Sequence, residues 1–240
     1  MPYQSERALE RLFEELKGRR LTHFIHLGDV VDAEAASVHQ DGHTLLEEFQ
    51  VAADMLRRIR KHLPSDCELV LFDGNHDDNI QRPDARRIPK PLRGLCNPRK
   101  VEGVSEEYKK WKHIPYRHGR RGCYELGSLI FAHGYSASAN SDELEAVQLA
   151  MACGGHAHRL VVRGHTHRPK APTQCRRSMR VALPWHYANV GHMAFDKRAA
   201  YTNRFDIQQW GRACLVGECK MGRPGRLGSK AWNAEIISLD

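Results

Sequence analysis

No apolar run in these 240 residues approaches the roughly 20 needed to cross a bilayer, and the polar start MPYQSERALE lacks the basic-then-apolar order of a secretion signal. A reducing, cytoplasmic setting with no membrane contact is therefore expected. Cysteine is sparse: seven residues, at 67, 96, 123, 153, 175, 214 and 219, are an odd number at irregular spacing, which excludes a disulfide framework. No pair forms a C-x-x-C zinc signature, and Cys214 and Cys219, which bracket the strand-like LVGE, read as thiols rather than ligands. No repeat with a period of about 20 to 50 residues stands out. The 41% hydrophobic fraction suits a globular protein with a substantial core, and the length favours one domain over 1–240, with a loop-rich basic insertion at about 79–123.

The net charge of +8 is concentrated in one segment. From Arg82 to Arg121 there are 13 Lys/Arg against 4 Asp/Glu, while the rest of the chain holds 24 against 25. Such a block is either a solvated face or a surface that attracts polyanions by counterion release. Five prolines break it up, so it reads as loops with one helix near Glu106 to Lys112. Trp111, Tyr108 and Tyr116 lie among its charges and suit either base stacking or core packing.

Elsewhere helices and strands alternate. Ser5 is placed to cap a helix whose Leu9, Leu12, Phe13 and Leu16 share a face, with Gly18 as its stop. Thr44 and Glu47 form a capping box for a helix reaching Leu63, with Leu45, Phe49, Ala52, Leu56 and Ile59 as its apolar stripe. A third helix is expected from a Ser141 cap to about Cys153. THFIHL (22–27), CELVLF (67–72), LIFAH (129–133) and LVVRG (160–164) read as strands, the first of them buried, and further short strands follow near 179–190, 213–218 and 234–239. The pattern is that of an α/β protein with mixed sheets.

Each of the four earlier strands ends in a polar cluster: HLGDVVD, FDGNHDD, FAHG and VVRGHTH. Ligand sites in α/β folds gather at the carboxyl ends of strands, so Asp29, Asp32, Asn75, His76, Asp77, His133, His165 and His167 are candidates to meet. This mixture of carboxylate, amide oxygen and imidazole suits Mn, Fe or Zn. His165 and His167, one residue apart, would share a face on a regular strand, though a lone His-x-His is more often surface than site. Asp32 could equally cap a helix, and Asp77 and Asp78 read as ordinary turn residues. GHAH (155–158) repeats the His-x-His pattern but follows a helix end rather than a strand, so His156 and His158 read as structural.

The ordered set GDVVD, GNHD, HG and GHTH, spanning residues 28–167, resembles the calcineurin-like metallophosphoesterase family. The resemblance implies an αββα sandwich of two mixed β-sheets flanked by helices, with two divalent ions (Mn, Fe or Zn) in the complete site. It places Asp29 as the bridging carboxylate, Asn75, His133 and His165 as further ligands of one metal, and His167 as a ligand of the other. A metal-bound hydroxide would attack phosphorus, with His76 protonating the leaving oxygen and Asp32 orienting that imidazole. Asn189 and His192, in NVGH, resemble a turn that follows the last metal motif, with His192 as a phosphate contact.

Two departures from the family qualify this. Its usual opening, a first strand ending in Asp-x-His, has no counterpart here. The family runs from that motif into a segment like MPY and a helix, so the first strand is expected to lie upstream of Met1. The alternative is a truly shortened, degenerate protein, and the chain as it stands is expected to hold at most one ion tightly and to hydrolyse weakly or not at all. The other departure is that Ala33 and Glu34 follow Asp32 where protein phosphatases carry an arginine and a glycine, and Asp77 stands in place of their glutamate. A protein phosphatase is thereby demoted. The expected activity is a metal-dependent phosphoester hydrolase acting on a nucleic acid or nucleotide, such as a phosphodiesterase or nuclease, with Arg86, Arg87, Lys90 and Arg93 as substrate contacts. A catalytically impaired nucleic-acid or protein-binding module of the same fold is the alternative, and a small-metabolite phosphomonoesterase a third.

Overall fold

The computed structural model describes residues 5–32, 44–81, 96–136, 138, 141–178, 181–194, 210–222 and 231–240. Two compact units are distinguished, one of residues 10–116 and one of Ser5–Leu9 with Arg117–Asp240. Helix α1 (Glu6–Leu16) contributes to both. Its first turn is capped as the sequence indicates, the Ala8 amide donating to Ser5 Oγ at 3.2 Å, and Gly18 beyond its end takes the left-handed φ of 77°.

In the first unit, β1 (His23–His26), β2 (Glu68–Phe72) and β3 (Lys112–Ile114) form an all-parallel sheet in that order. β1 is half-buried throughout, not the buried strand expected. Helix α2 (Leu45–Lys61) connects β1 to β2 and carries the capping box, with Thr44 Oγ1 accepting from the Glu47 amide while Glu47 Oε2 accepts from the Thr44 amide. Its Phe49, Ala52, Leu56 and Ile59 are buried. Helix α3 (Asn75–Gln81) follows β2 directly, and α4 (Ser105–Tyr108) precedes β3. The expected helix near Glu106 to Lys112 is therefore shorter and shifted, because Lys112 already pairs with Val70 in the sheet. Glu107, 2% exposed, joins α4 to α2 through two hydrogen bonds from Arg60 at 2.8 and 3.0 Å.

The second unit is built on a mixed five-stranded sheet in the order β4-β5-β6-β8-β7. These strands are β4 (Cys123–Leu126), β5 (Leu129–Ala132), β6 (Arg159–Arg163), β7 (Lys170–Ser178) and β8 (Val181–Asn189). β5, β6 and β8 are mutually parallel, so their carboxyl ends share one edge. Helix α5 (Asp142–Ala152) buries Ala146, Leu149 and Ala150 in a core with Ile130, Val161, Trp185 and Tyr187. Ser141 does not cap it: its hydroxyl donates to the Ser138 carbonyl and its backbone is already helical. β9 (Ala213–Cys219) and β10 (Trp232–Ser238) form a separate antiparallel pair. All seven cysteines are free thiols. Among the described residues no helix is long and apolar enough to cross a membrane.

Candidate metal centre

In the first unit the candidate residues follow the carboxyl ends of two adjacent parallel strands, β1 and β2. The loops they occupy are locked together. Asp29 takes a left-handed φ of 52°, and its Oδ1 accepts from the His76 amide at 3.1 Å. A Cβ on Gly74 would lie 2.0 Å from that carboxylate oxygen and 2.5 Å from the Asp29 nitrogen, so glycine alone permits the approach. Asn75 opens helix α3 immediately after.

His76 Nδ1 lies 2.8 Å from the Asp32 carbonyl oxygen and 3.0 Å from Asp32 Oδ1. Both partners are acceptors, so this nitrogen carries a proton and the ring is held through it, leaving Nε2 for other work. Burial disfavours the imidazolium, but the charge of Asp29 and the hydrogen bond and charge of Asp32 outweigh it, and the His76 pKa is pushed up to about 10. The two carboxylates thus favour the proton-bearing form of the ring.

Asp77 is no ordinary turn residue. It is 3% exposed, and its carboxylate accepts from the amides of Gly74 at 2.8 Å, Val30 at 3.3 Å and Val31 at 3.4 Å. It thus clamps the GDVVD loop to the GNHD loop. Beside it, buried Asp73 binds His113 Nε2 at 2.6 Å and Arg99 at 3.5 Å.

In the second unit His133 follows β5 and His165 follows β6. His133, 4% exposed, presents Nε2 to His165 Nδ1 at 3.3 Å. That separation is longer than a good N–H hydrogen bond of about 2.9–3.0 Å. It matches the roughly 3.3 Å between two nitrogens on one tetrahedral ion with bonds of about 2.0–2.1 Å, so this pair fits a divalent transition metal. His165 and His167 both take left-handed backbones, φ 64° and 58°, so they lie on no regular strand. Their rings have different neighbours: His167 packs against His192, ring centroids 5.2 Å apart, and edge-on to Trp210 at 4.6 Å. Trp210 carries no motif and is recognisable only through this contact. Asn189 is fully buried, its Nδ2 donating to Asp142 at 2.6 Å.

GHAH forms the turn from α5 into β6, at the opposite end of that strand from GHTH. The His156 and His158 carbonyls accept from the indole nitrogens of Trp185 and Trp232 at 2.9 and 3.0 Å. Where the basic segment is described, several of its cations are paired: Lys109, Lys110, Lys112 and Arg120 with Glu106, Glu107, Glu68 and Glu125. Tyr108 and Trp111, 2% and 3% exposed, are core residues and unavailable for stacking on bases. Arg86, Arg87, Lys90 and Arg93 lie outside the described residues.

None of the curated proteins compared with this chain matches it. The profile of the calcineurin-like phosphoesterase family matches residues 3–169, more than half of the sequence and all four polar clusters. The chain belongs to the calcineurin-like phosphoesterase family, whose members are metal-binding phosphoester hydrolases.

Proposed function

We propose that this chain is a metal-dependent phosphoester hydrolase whose ligands are Asp29, Asn75, His133, His165 and His167. Family membership supports the set as a whole, and the His133–His165 nitrogen pair supports its imidazole part. Bound divalent ions supply an activated water and neutralise the phosphate oxygens. The protein's own part is acid catalysis: His76, held at Nδ1 by Asp32, donates its Nε2 proton to the leaving oxygen. The observation that carries this reading is the His76 ring clamped by Asp32 beside Asp29, which combines a proton donor and a metal-binding carboxylate in one loop pair.

Steady-state kinetics on metal-loaded protein test the roles. Asp29→Asn should abolish Mn²⁺-dependent turnover. His76→Ala should retain metal and lose roughly a hundredfold or more on an alkyl phosphodiester, with less loss on an activated aryl one. Equal losses on both substrates together with loss of metal would make His76 a ligand. Metal binding without hydrolysis of either substrate would replace the enzyme by a binding module of the same fold.

The substrate class proposed is a nucleic acid or nucleotide phosphodiester, supported by the +9 balance of Arg82–Arg121 and by the absence of the protein-phosphatase arginine after Asp32. Neutralising Arg86, Arg87, Lys90 and Arg93 should then lower the slope of log K against log salt by about 0.7–0.9 per lost phosphate contact, leaving a small aryl diester unaffected. Unchanged affinity for single-stranded DNA would favour a small-metabolite substrate.

A further inference from the structure

Arg163, the last residue of β6, is a fully buried cation. Its Nη1 donates to Asp142 at 2.9 Å and its Nη2 to Glu145 at 2.7 Å, both on the first turns of α5. The same Glu145 carboxylate accepts from the backbone amides of Tyr135 at 2.8 Å and Ser136 at 3.0 Å, just beyond His133. Asp142 accepts in turn from Asn189, at the end of β8. The loops after three parallel strands therefore converge on one ionic cluster.

Gly134 shows how closely the cluster underlies the histidines. Its φ is 103°, and a Cβ there would lie 2.9 Å from Arg163 Nη2 and 3.3 Å from the His165 Cβ. The Gly164 amide, one residue past Arg163, donates to the His133 carbonyl at 3.0 Å. Backbone, guanidinium and both histidines are thus stacked without slack.

We propose that Arg163, Glu145 and Asp142 are positioning residues that set the spacing of His133 and His165. This rests on the reading of those histidines as metal ligands. Two buried carboxylates against one guanidinium leave the cluster short of positive charge. The Tyr135 and Ser136 amides donate to Glu145 and the Asn189 side chain donates to Asp142, so the hydrogen bonds that satisfy Glu145 are complete only when the His133 loop is in place. A change in the cluster is therefore transmitted to the His133 backbone rather than absorbed by solvent.

The test uses Glu145→Gln, which keeps size but loses the charge and one acceptor. Arg163→Lys, which keeps charge but loses the fork, is the second variant. Cobalt(II) titration of the whole protein, followed by its visible absorption, should show affinity reduced about tenfold to a hundredfold in both. Glu143→Gln, on the same helix but bonded to the Arg176 amide, should bind cobalt as the wild type does. In metal-free protein the His133 and His165 imidazole nitrogen resonances should shift or broaden in Glu145→Gln, while those of His62, stacked on Phe13, stay unchanged. Wild-type affinity and unchanged rings in a folded Glu145→Gln protein would overturn the proposal. A wild type that takes up no cobalt would overturn the metal reading instead, and the ring resonances would still decide whether the cluster positions the two histidines.

Discussion

Asp77 offers the sharpest test of how the first unit's loops are held. Replacing it with alanine strands the buried amides of Gly74, Val30 and Val31. A hydrogen bond to a charged group contributes about 1.5–3 kcal/mol, but only the 2.8 Å bond to Gly74 has good length. Counting that bond in full and the two longer ones at a fraction gives about 3–4 kcal/mol of destabilisation. Asparagine is more instructive. Its oxygen can replace Oδ2, which accepts from both Gly74 and Val30, but its amide nitrogen then faces the Val31 N–H. Asp77→Asn should therefore cost about 1–2 kcal/mol, roughly half the alanine loss. Chemical denaturation of the chelator-treated protein, extrapolated linearly, reads both values. Hydrogen exchange should quicken at the Val30 and Val31 amides in the alanine variant. An Asp77→Ala cost below about 1 kcal/mol, or an asparagine variant as unstable as the alanine one, would refute the clamp.

Two further outcomes follow from the geometry. Glu107 is buried, which raises its pKa, but the Arg60 hydrogen bonds and Lys110 lower it more, so its folded pKa lies below the ordinary carboxylate value. Its stabilising contribution is therefore complete above that ordinary value and is lost as pH falls through the depressed folded one. Glu107→Gln should cost about 2 kcal/mol at pH 7, and the gap to wild type should shrink in acid, where an equal gap in urea midpoints at both pH values would contradict the assignment. His158, at φ 60°, is held by backbone bonds to Pro184 and Trp232 that any residue keeps, so His158→Gly should be more stable than His158→Ala by about 1 kcal/mol. Cobalt affinity should stay at the wild-type level in both, and a drop would make GHAH part of the metal site.

What the sequence showed of the fold was whatever its local chemistry dictates. The capping box of α2 needs only Thr44 and Glu47, three residues apart, and the apolar runs of β2, β5 and β6 announce themselves. Edge strands were illegible, because KHI in β3 and KAPTQCRRS in β7 are polar and become strands through pairing with β2 and β8. Helix α3 was missed for a similar reason: NHDDNIQ has no apolar stripe, and its first turn forms as the Asp78 amide bonds the Gly74 carbonyl. In the candidate site, glycine-flanked histidines and carboxylates after apolar runs were visible, whereas their supports were not. Asp77 reads as a turn residue, and Glu145 as one acid among several on a helix. Arg163 looks like a solvated charge until its partners on α5 are seen. Counting charge within a window likewise leaves out partners that lie outside it, as Lys112 pairs with Glu68, 44 residues away.

Backbone strain separates the two His-x-His patterns more clearly than side-chain chemistry does. Among the described residues four that are not glycine adopt a left-handed φ: Asp29, His158, His165 and His167. Each costs about 1–2 kcal/mol and persists only where surrounding bonds over-determine it. For Asp29 these are the Gly74 approach and the Asp77 clamp. For the GHTH loop they are the Thr166 amide on the Gly164 carbonyl and the Gly211 amide on the His167 carbonyl, at 2.8 and 3.0 Å. His158 shows that strain alone is no mark of function, for it is equally strained and equally well bonded. The difference is which end of a strand the strain occupies. His158 sits where the chain enters β6, whereas Asp29 follows β1, and His165 and His167 follow β6, at the carboxyl ends of parallel strands. Ligand sites in such folds gather there, whereas His158, at the amino end of β6, is tied by its backbone to Pro184 and Trp232. A left-handed backbone swings a side chain out of the strand's own alternation, and at a carboxyl edge that swing turns it toward the adjoining loop. His165, turned so after β6, meets His133 from the loop after β5 at 3.3 Å.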